Sequence, residues 1–407
     1  MHLSTEPHPL CKPTDRSPRI LVIGAGVIGL TTAWTLLDRG YKVTVLAKDF
    51  ANDQAIRLTS QISGALWEYP PAVCGHQVDH TSINHTSRWS MISYHVFSQL
   101  AKDPVDREGF GIQLRNTAFF FEYPVESNAP QYKKMQDIQK SGVEGFRHDA
   151  NIVKECGVEP VGKYQDAYEF LSPAIDSDRA LKRIEQLVTA KGAIFKTGVI
   201  DQELFDIEGE LLSEYGAQVL VNATGLGARI TAGDPSVYPL RGAVYRIVND
   251  NTKFHRMERA LVVSATNAVG LSQFNFIVPR NDNILLVGGF SEPDEKELDI
   301  TMDHPLMKSM ALRAQEFFPP LQNVNFEVHT DPAYRFAQGL RPARHGDVRV
   351  ERELRMRDGN QPFSRIVHSY GHGGSGWSWS FGSALQVLVL VEEAIGQRIP
   401  PQSMYEL

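Results

Sequence analysis

Apolar and polar positions change rhythm three times within residues 19–49. Residues 20–23 form a continuous apolar run, Leu30, Ala33, Trp34 and Leu37 recur at helical spacing, and residues 42–46 are strand-like again. This predicts strand, turn, helix to about Asp38, a stop at Gly40, and a second strand. Helical spacing returns at 82–100 and at 179–191, the latter closed by Gly192 and followed by a strand over 193–196. Residues 113–123 read as strand and 160–175 as loop. Strand patterns then dominate 240–290, notably 276–278 and 284–287. A helix at 305–318, strands at 325–329 and 366–368 and a helix at 382–395 complete the pattern, with residues 1–18 expected to be a loose arm.

Where these strands meet helices, the residues are small. Gly24-Ala25-Gly26-Val27-Ile28-Gly29 joins the first strand to the first helix, a turn whose glycines let backbone N–H groups approach a pyrophosphate. A second glycine turn, Gly371-His372-Gly373-Gly374-Ser375-Gly376, stands in the same relation to the last strand and helix. Between them, Asn222-Ala223-Thr224-Gly225 ends a strand in small residues, and Thr59-Ser60 with Gly64-Ala65-Leu66 forms another small-residue segment. One extended dinucleotide explains all four segments. The acid that would hold a ribose in the simplest NAD fold is displaced, since the second strand ends Leu46-Ala47-Lys48-Asp49. That weakens NAD and favours FAD, with the last helix N-terminus near the flavin. His372 taken alone reads equally well as a core histidine.

The fold class predicted is α/β: an FAD-binding Rossmann-like domain (19–112, 176–235 and 340–407) interleaved with a mixed or antiparallel-sheet substrate-binding domain (113–175 and 236–339). The 41 basic and 48 acidic residues give a net charge of −7 without a long basic run, so neither nucleic acid nor a membrane surface is an expected partner. Cys11, Cys74 and Cys156 are too scattered for a disulfide framework or a zinc site and favour a reducing compartment. No secretory signal is expected at the start, and the terminal Ser403-Met404-Tyr405-Glu406-Leu407 differs from a peroxisomal Ser-Lys-Leu. A cytoplasmic or peroxisomal protein is expected, and a homo-oligomer is compatible with the sequence.

Together with Arg241-Gly242, Gly339-Leu340-Arg341-Pro342-Ala343-Arg344, Val350-Glu351-Arg352-Glu353 and His368-Ser369-Tyr370, these segments resemble the D-amino-acid oxidase family nearly end to end. The resemblance implies an FAD enzyme that takes a hydride from the α-carbon of an amino acid to flavin N5. The imino acid is hydrolysed to a 2-oxo acid and ammonia, and O2 reoxidises the flavin with release of hydrogen peroxide. No metal and no side-chain acid or base is required. By the same resemblance Arg341 binds the substrate carboxylate, for which its forked guanidinium is suited, and the Gly374 carbonyl receives the amino group. His372, Gly373, Gly376, Trp377 and Ser378 match the flavin-contacting turn. Gly64, Ala65 and Leu66 match backbone against the flavin, and Lys48 and Asp49 the adenosine end. Gly24, Gly26, Val27, Ile28, Gly29, Thr59, Ser60 and Gly225 complete the cofactor set. Arg344 has no comparable role in the family and reads as structural.

Two departures bear on the substrate. The family places a tyrosine where this chain has Phe276, in Asn275-Phe276-Ile277-Val278-Pro279, so one hydroxyl donor to the carboxylate is missing. The lid segment 264–274 lacks tyrosine as well. Tyr69 either lines the substrate pocket or packs in the core. D-amino acids are the first expectation. Oxidation of glycine or of an N-methyl, cyclic or specialised amino acid is the second, and a non-catalytic flavin-bound scaffold the third.

Overall fold

In the computed structural model, residues 2–53, 57–71, 80–158, 162–263, 272–356 and 363–398 are described. In chain order the first strands are β1 (Arg19–Ile23), β2 (Lys42–Ala47), β3 (Ile112–Phe121), β4 (Arg147–His148), β5 (Asp166–Ile175), β6 (Ile194–Thr197) and β7 (Val219–Asn222). The remainder are β8 (Val237–Val248), β9 (Ala260–Val263), β10 (Ser272–Pro279), β11 (Ile284–Pro293), β12 (Phe336–Arg344), β13 (Arg349–Arg352) and β14 (Ile366–Tyr370). Among the described residues they form two sheets, one of six strands in the order β13-β14-β7-β1-β2-β6 and one of eight in the order β12-β8-β11-β10-β9-β3-β5-β4.

The smaller sheet is parallel from β14 to β6, with Ile20 opposite both Val43 and Val219, and antiparallel only at β13. Of its two central strands, β7 is buried throughout and β1 from Ile20 to Ile23, as strands covered on both faces require. Helices Val27–Asp38, His80–Lys102 and Gly376–Ile395 cover one face, and Leu204–Glu214 contributes to the other. The larger sheet is antiparallel except where β3 runs beside β9, and the helix Pro305–Phe317 packs beneath it. The chain passes repeatedly between the sheets, which brings the carboxyl ends of β1 and β7 against one face of the larger sheet. The cofactor cavity lies at this junction.

Four expectations are corrected. Residues 2–18 are not loose: the buried Asp38 carboxylate accepts the N–H groups of Ser4 at 2.8 Å and Leu10 at 3.2 Å and pairs with Lys191 Nζ at 2.7 Å, while Lys191 also donates to the His8 carbonyl. The expected loop at 160–175 contains β5, whose polar residues are absorbed by partners: Glu169 by Arg147 at 2.9 Å and Ser172 Oγ by the Trp67 carbonyl at 2.6 Å. No strand forms at 325–329, where the Asn325 side chain accepts the Glu327 N–H and folds a turn that leaves Val328 exposed. The last helix begins at Gly376, six residues before the expected start, because both faces of its Trp-Ser-Trp-Ser-Phe opening are buried and the apolar alternation looks strand-like. Most of the lid (264–271), Cys74 and the last residues (399–407) lie outside the described residues.

Candidate active site

The β1 turn is shaped by exclusion. Gly24 has φ +114°, and a Cβ there would enter the backbone of Ala223. A Cβ on Gly29 would likewise collide with the Gly24 carbonyl oxygen. Gly26 caps the helix Val27–Asp38 without a side-chain bond, and the Val27 N–H donates instead to Ser60 Oγ at 3.0 Å. The Ser60 carbonyl accepts the indole N–H of Trp377 at 2.9 Å. Ser60 therefore ties together the two glycine turns, which are far apart in sequence. Their helices start side by side: a Cβ on Gly376 would lie 3.6 Å from Val27 Cγ1. Two helix N-termini consequently converge on one region, where their dipoles favour negative charge.

A cavity of about 700 Å³ opens over these termini. Gly24, Gly26, Val27 and Ile28 line one end with Thr59, Ser60 and Gly225, and Lys48 and Asp49 stand at the end of β2. Gly64, Ala65 and Leu66 continue the wall towards His372, Gly373, Gly374, Gly376, Trp377 and Ser378. Arg341 and Phe276 enter from the larger sheet. Two expected members are not brought to this wall. Gly29 packs behind the turn, where its role is steric, and Tyr69 joins the aromatic core, its ring edge-on to Trp67 with centroids 6.4 Å apart.

The wall carries polar atoms that find no partner among the described residues. His372 Nε2, Ser369 Oγ and Ser375 Oγ are buried on residues lining the cavity and have no hydrogen-bond partner among the described residues. Burial pushes the His372 imidazole down to about 3, so it is neutral at physiological pH. Unpaired buried polar atoms are costly, and a dinucleotide cofactor rich in donors and acceptors is suited to satisfy them. The glycine cradle, the paired helix N-termini and these atoms together fit FAD.

Arg341 and Arg344 occupy the same strand with opposite environments. Arg344 Nε pairs with Asp234 at 2.8 Å, and its guanidinium also donates to the Asp347 carbonyl at 2.6 Å. Asp234 in turn accepts the Tyr370 hydroxyl; although burial favours its neutral form, Arg344 and Tyr370 bring it down to about 2. Arg341 has only long contacts, to the Phe290 carbonyl at 3.5 Å and Ser291 Oγ at 3.4 Å, and no acid pairs with it among the described residues. Its guanidinium lies over Gly242, where any Cβ would displace it. The chain thus carries on the cavity wall a cation that no acid neutralises among the described residues.

Phe276 occupies a slot between Gly64 and Gly288. A Cβ on Gly64 would lie 3.1 Å from its ring, and one on Gly288 would overlap it. Phe274 stacks on it at 5.8 Å and packs in the same way over Gly289. The paired glycines inside β11 are the signal that could have located this aromatic wall, since interior strand glycines mark close approach. Glu68 also lines the cavity, held by Lys134 Nζ at 2.9 Å, with its N–H on Ser378 Oγ at 3.3 Å. Nothing in the local sequence distinguishes it from a surface acid.

The glycine cradle, the convergent helix termini and a cavity-wall arginine without an acidic partner among the described residues mark a flavin-dependent oxidoreductase. More particularly, the chain belongs to the DAO family of FAD dependent oxidoreductases, whose family model matches residues 19–388. It is 29% identical over 381 residues to a D-amino-acid oxidase of Rubrobacter xylanophilus, covering 93% of this chain and 97% of the relative. A D-amino-acid oxidase of Schizosaccharomyces pombe is 28% identical over 389 residues, covering 92% and 97%. Among solved structures, the glycine oxidase of Bacillus cereus shares the fold with a TM-score of 0.67 at 17% identity, covering 95% of this chain and 99% of that one.

Proposed function

We propose that this enzyme oxidatively deaminates D-amino acids to 2-oxo acids, ammonia and hydrogen peroxide. The observation that carries the proposal is Arg341, a guanidinium on the cavity wall without an acidic partner among the described residues. The D-amino-acid oxidase names of two relatives spanning nearly the whole chain support the same reading. FAD, when bound, supplies the hydride acceptor and is reoxidised by O2.

The chain's own residues orient and insulate the reaction. Arg341 receives the α-carboxylate in a two-point contact, and the Gly374 carbonyl accepts an N–H hydrogen bond from the amino group, so both polar substituents of the α-carbon are fixed. Phe274, Phe276, Val262 and Leu66 form an apolar wall that keeps water from the α-carbon. The N-terminus of helix Gly376–Ile395 would face bound FAD, where its dipole would favour negative charge. His372, neutral and with its Nε2 unpaired among the described residues, offers a hydrogen bond rather than a charge. No side chain is assigned as acid or base.

A second reading follows from Phe276, which offers the carboxylate no hydroxyl: the enzyme oxidises glycine or an N-methyl, cyclic or specialised amino acid. Anaerobic bleaching of the visible flavin band by paired D- and L-amino acids, glycine and sarcosine decides between them. Reduction by several D-amino acids and not their L-partners is expected. Reduction by glycine or sarcosine alone would establish the second reading, and no reduction by any of them would reject the oxidation of D-amino acids.

A further inference from the structure

We infer that Arg280, which lies outside the cavity, is a positioning residue that sets the flavin-facing loop. Arg280 follows β10 in the larger sheet and is only 2% exposed. Its guanidinium reaches across to the short helix Thr59–Ile62 and the residue after it: Nη2 donates to the Gln61 carbonyl at 2.9 Å and Nη1 to the Ser63 carbonyl at 3.2 Å. These carbonyls end a helical turn that lacks intrahelical partners for them, so a buried cation is well matched to the site. Ser177 Oγ reinforces the clamp, lying 2.6 Å from the Gln61 carbonyl and 3.2 Å from that of Ser63. The charge is held by Asp176 at 3.1 Å and Asp178 at 2.9 Å, and Asp178 also takes the Gln61 amide at 3.3 Å.

The loop beyond the clamp needs this support. Ala65 adopts φ +41°, a left-handed conformation that an alanine does not prefer, and Gly64, Ala65 and Leu66 line the cavity. Such a conformation persists when its surroundings over-determine it. Arg280 fixes the loop on one side and the Ile175 N–H, bonded to the Ala65 carbonyl at 3.0 Å, fixes it on the other. Because Arg280 belongs to the sheet that also bears Arg341 and Phe276, it sets the cofactor wall against the substrate wall. The clamp holds the flavin-facing loop whichever amino acid is oxidised.

Arg246 supplies the control. It is a buried arginine of the same charge cluster, bonded to Asp331 at 2.9 Å and 3.9 Å from Asp178, without a hydrogen bond to the loop among the described residues. The test compares FAD affinity, by quenching of FAD fluorescence on titration of apoprotein, with the visible spectrum of the holoprotein and the melting temperature of the apoprotein. Arg280→Met is expected to weaken FAD binding by about tenfold or more and to shift the visible band. Arg280→Lys should recover part of the affinity, and Arg246→Met should lower the melting temperature with FAD affinity kept within about twofold. Wild-type affinity and spectrum in Arg280→Met, or an equal loss of affinity in Arg246→Met, would overturn the proposal. Should Arg280→Met fail to fold, Ser177→Ala decides: a loss of about threefold or more in FAD affinity supports the clamp, and an unchanged affinity and spectrum reject it.

Discussion

The two walls of the cavity are built from different materials. The wall contributed by the smaller sheet is glycine and backbone: Gly24, Gly26 and Gly376 sit at the starts of two helices whose termini face the cofactor, and Ser60 joins them. The wall from the larger sheet is side chain: Arg341 without an acid among the described residues, and the stacked pair Phe274 and Phe276. Backbone recognition fixes a ligand that never changes, because removing side chains leaves little for drift to alter. Side-chain recognition is where a substrate preference can be rewritten one residue at a time.

The sharpest break in this comparison lies behind the glycine wall, at the turn that shapes it. Gly29→Val would drive a side chain into the Gly24 carbonyl, and we expect no FAD-loaded protein, measured as flavin absorbance in purified material alongside circular dichroism. Gly26→Ala is milder, since its nearest neighbour is the movable Ser60 Oγ at 3.2 Å, and should retain flavin at reduced affinity.

Next is the charged residue of the other wall. Arg341→Ala should cost about 3 kcal/mol of transition-state binding, roughly two powers of ten in kcat/KM, with the flavin spectrum intact. Arg344→Ala should do the reverse, lowering the melting temperature by freeing Asp234 while leaving KM near wild type. A loss of substrate binding in Arg344→Ala matching that in Arg341→Ala would erase the distinction drawn between them.

The same division explains what the chain reveals before it is folded. The β1 turn, the strands beside it and the final glycine turn are legible because strand periodicity and glycine placement are local signals. Segment β5 is hidden because Asp166, Glu169 and Pro173 read as loop residues until distant partners absorb them. The convergence of the two helix termini through Ser60, and the Phe276 slot between Gly64 and Gly288, depend on contacts far apart in sequence. Tyr69 illustrates the converse: close in sequence to the loop, it turns into the aromatic core.

His372 tests the boundary between the walls through pH. Burial pushes its imidazole down from 6.5 to about 3, so between those values the unfolded chain binds a proton that the native protein refuses. Stability should fall as pH drops through this window and be indifferent to His372 above it. We expect the melting temperature of His372→Gln apoprotein to decline less steeply than wild type between about pH 6 and pH 4. Equal slopes would show that the imidazole is protonated in the native state and donates a charge to the site.

The smallest expected effect bears most directly on the substrate wall. Phe276→Tyr adds a hydroxyl at the ring end held between Gly64 and Gly288, close to the cavity that Arg341 also lines. If the substrate carboxylate reaches that point, the hydroxyl gains a partner worth about 0.5–1.5 kcal/mol, lowering KM by roughly two- to tenfold with kcat little changed. Without ligand the same hydroxyl is buried and unsatisfied, so the free variant should melt below wild type and recover on adding a small carboxylate ligand. That coupling separates a carboxylate site from a merely apolar one. A variant that melts lower but gains neither affinity nor ligand-dependent recovery would mean that Phe276 meets the substrate's side chain instead, and that the apolar wall selects what Arg341 only anchors.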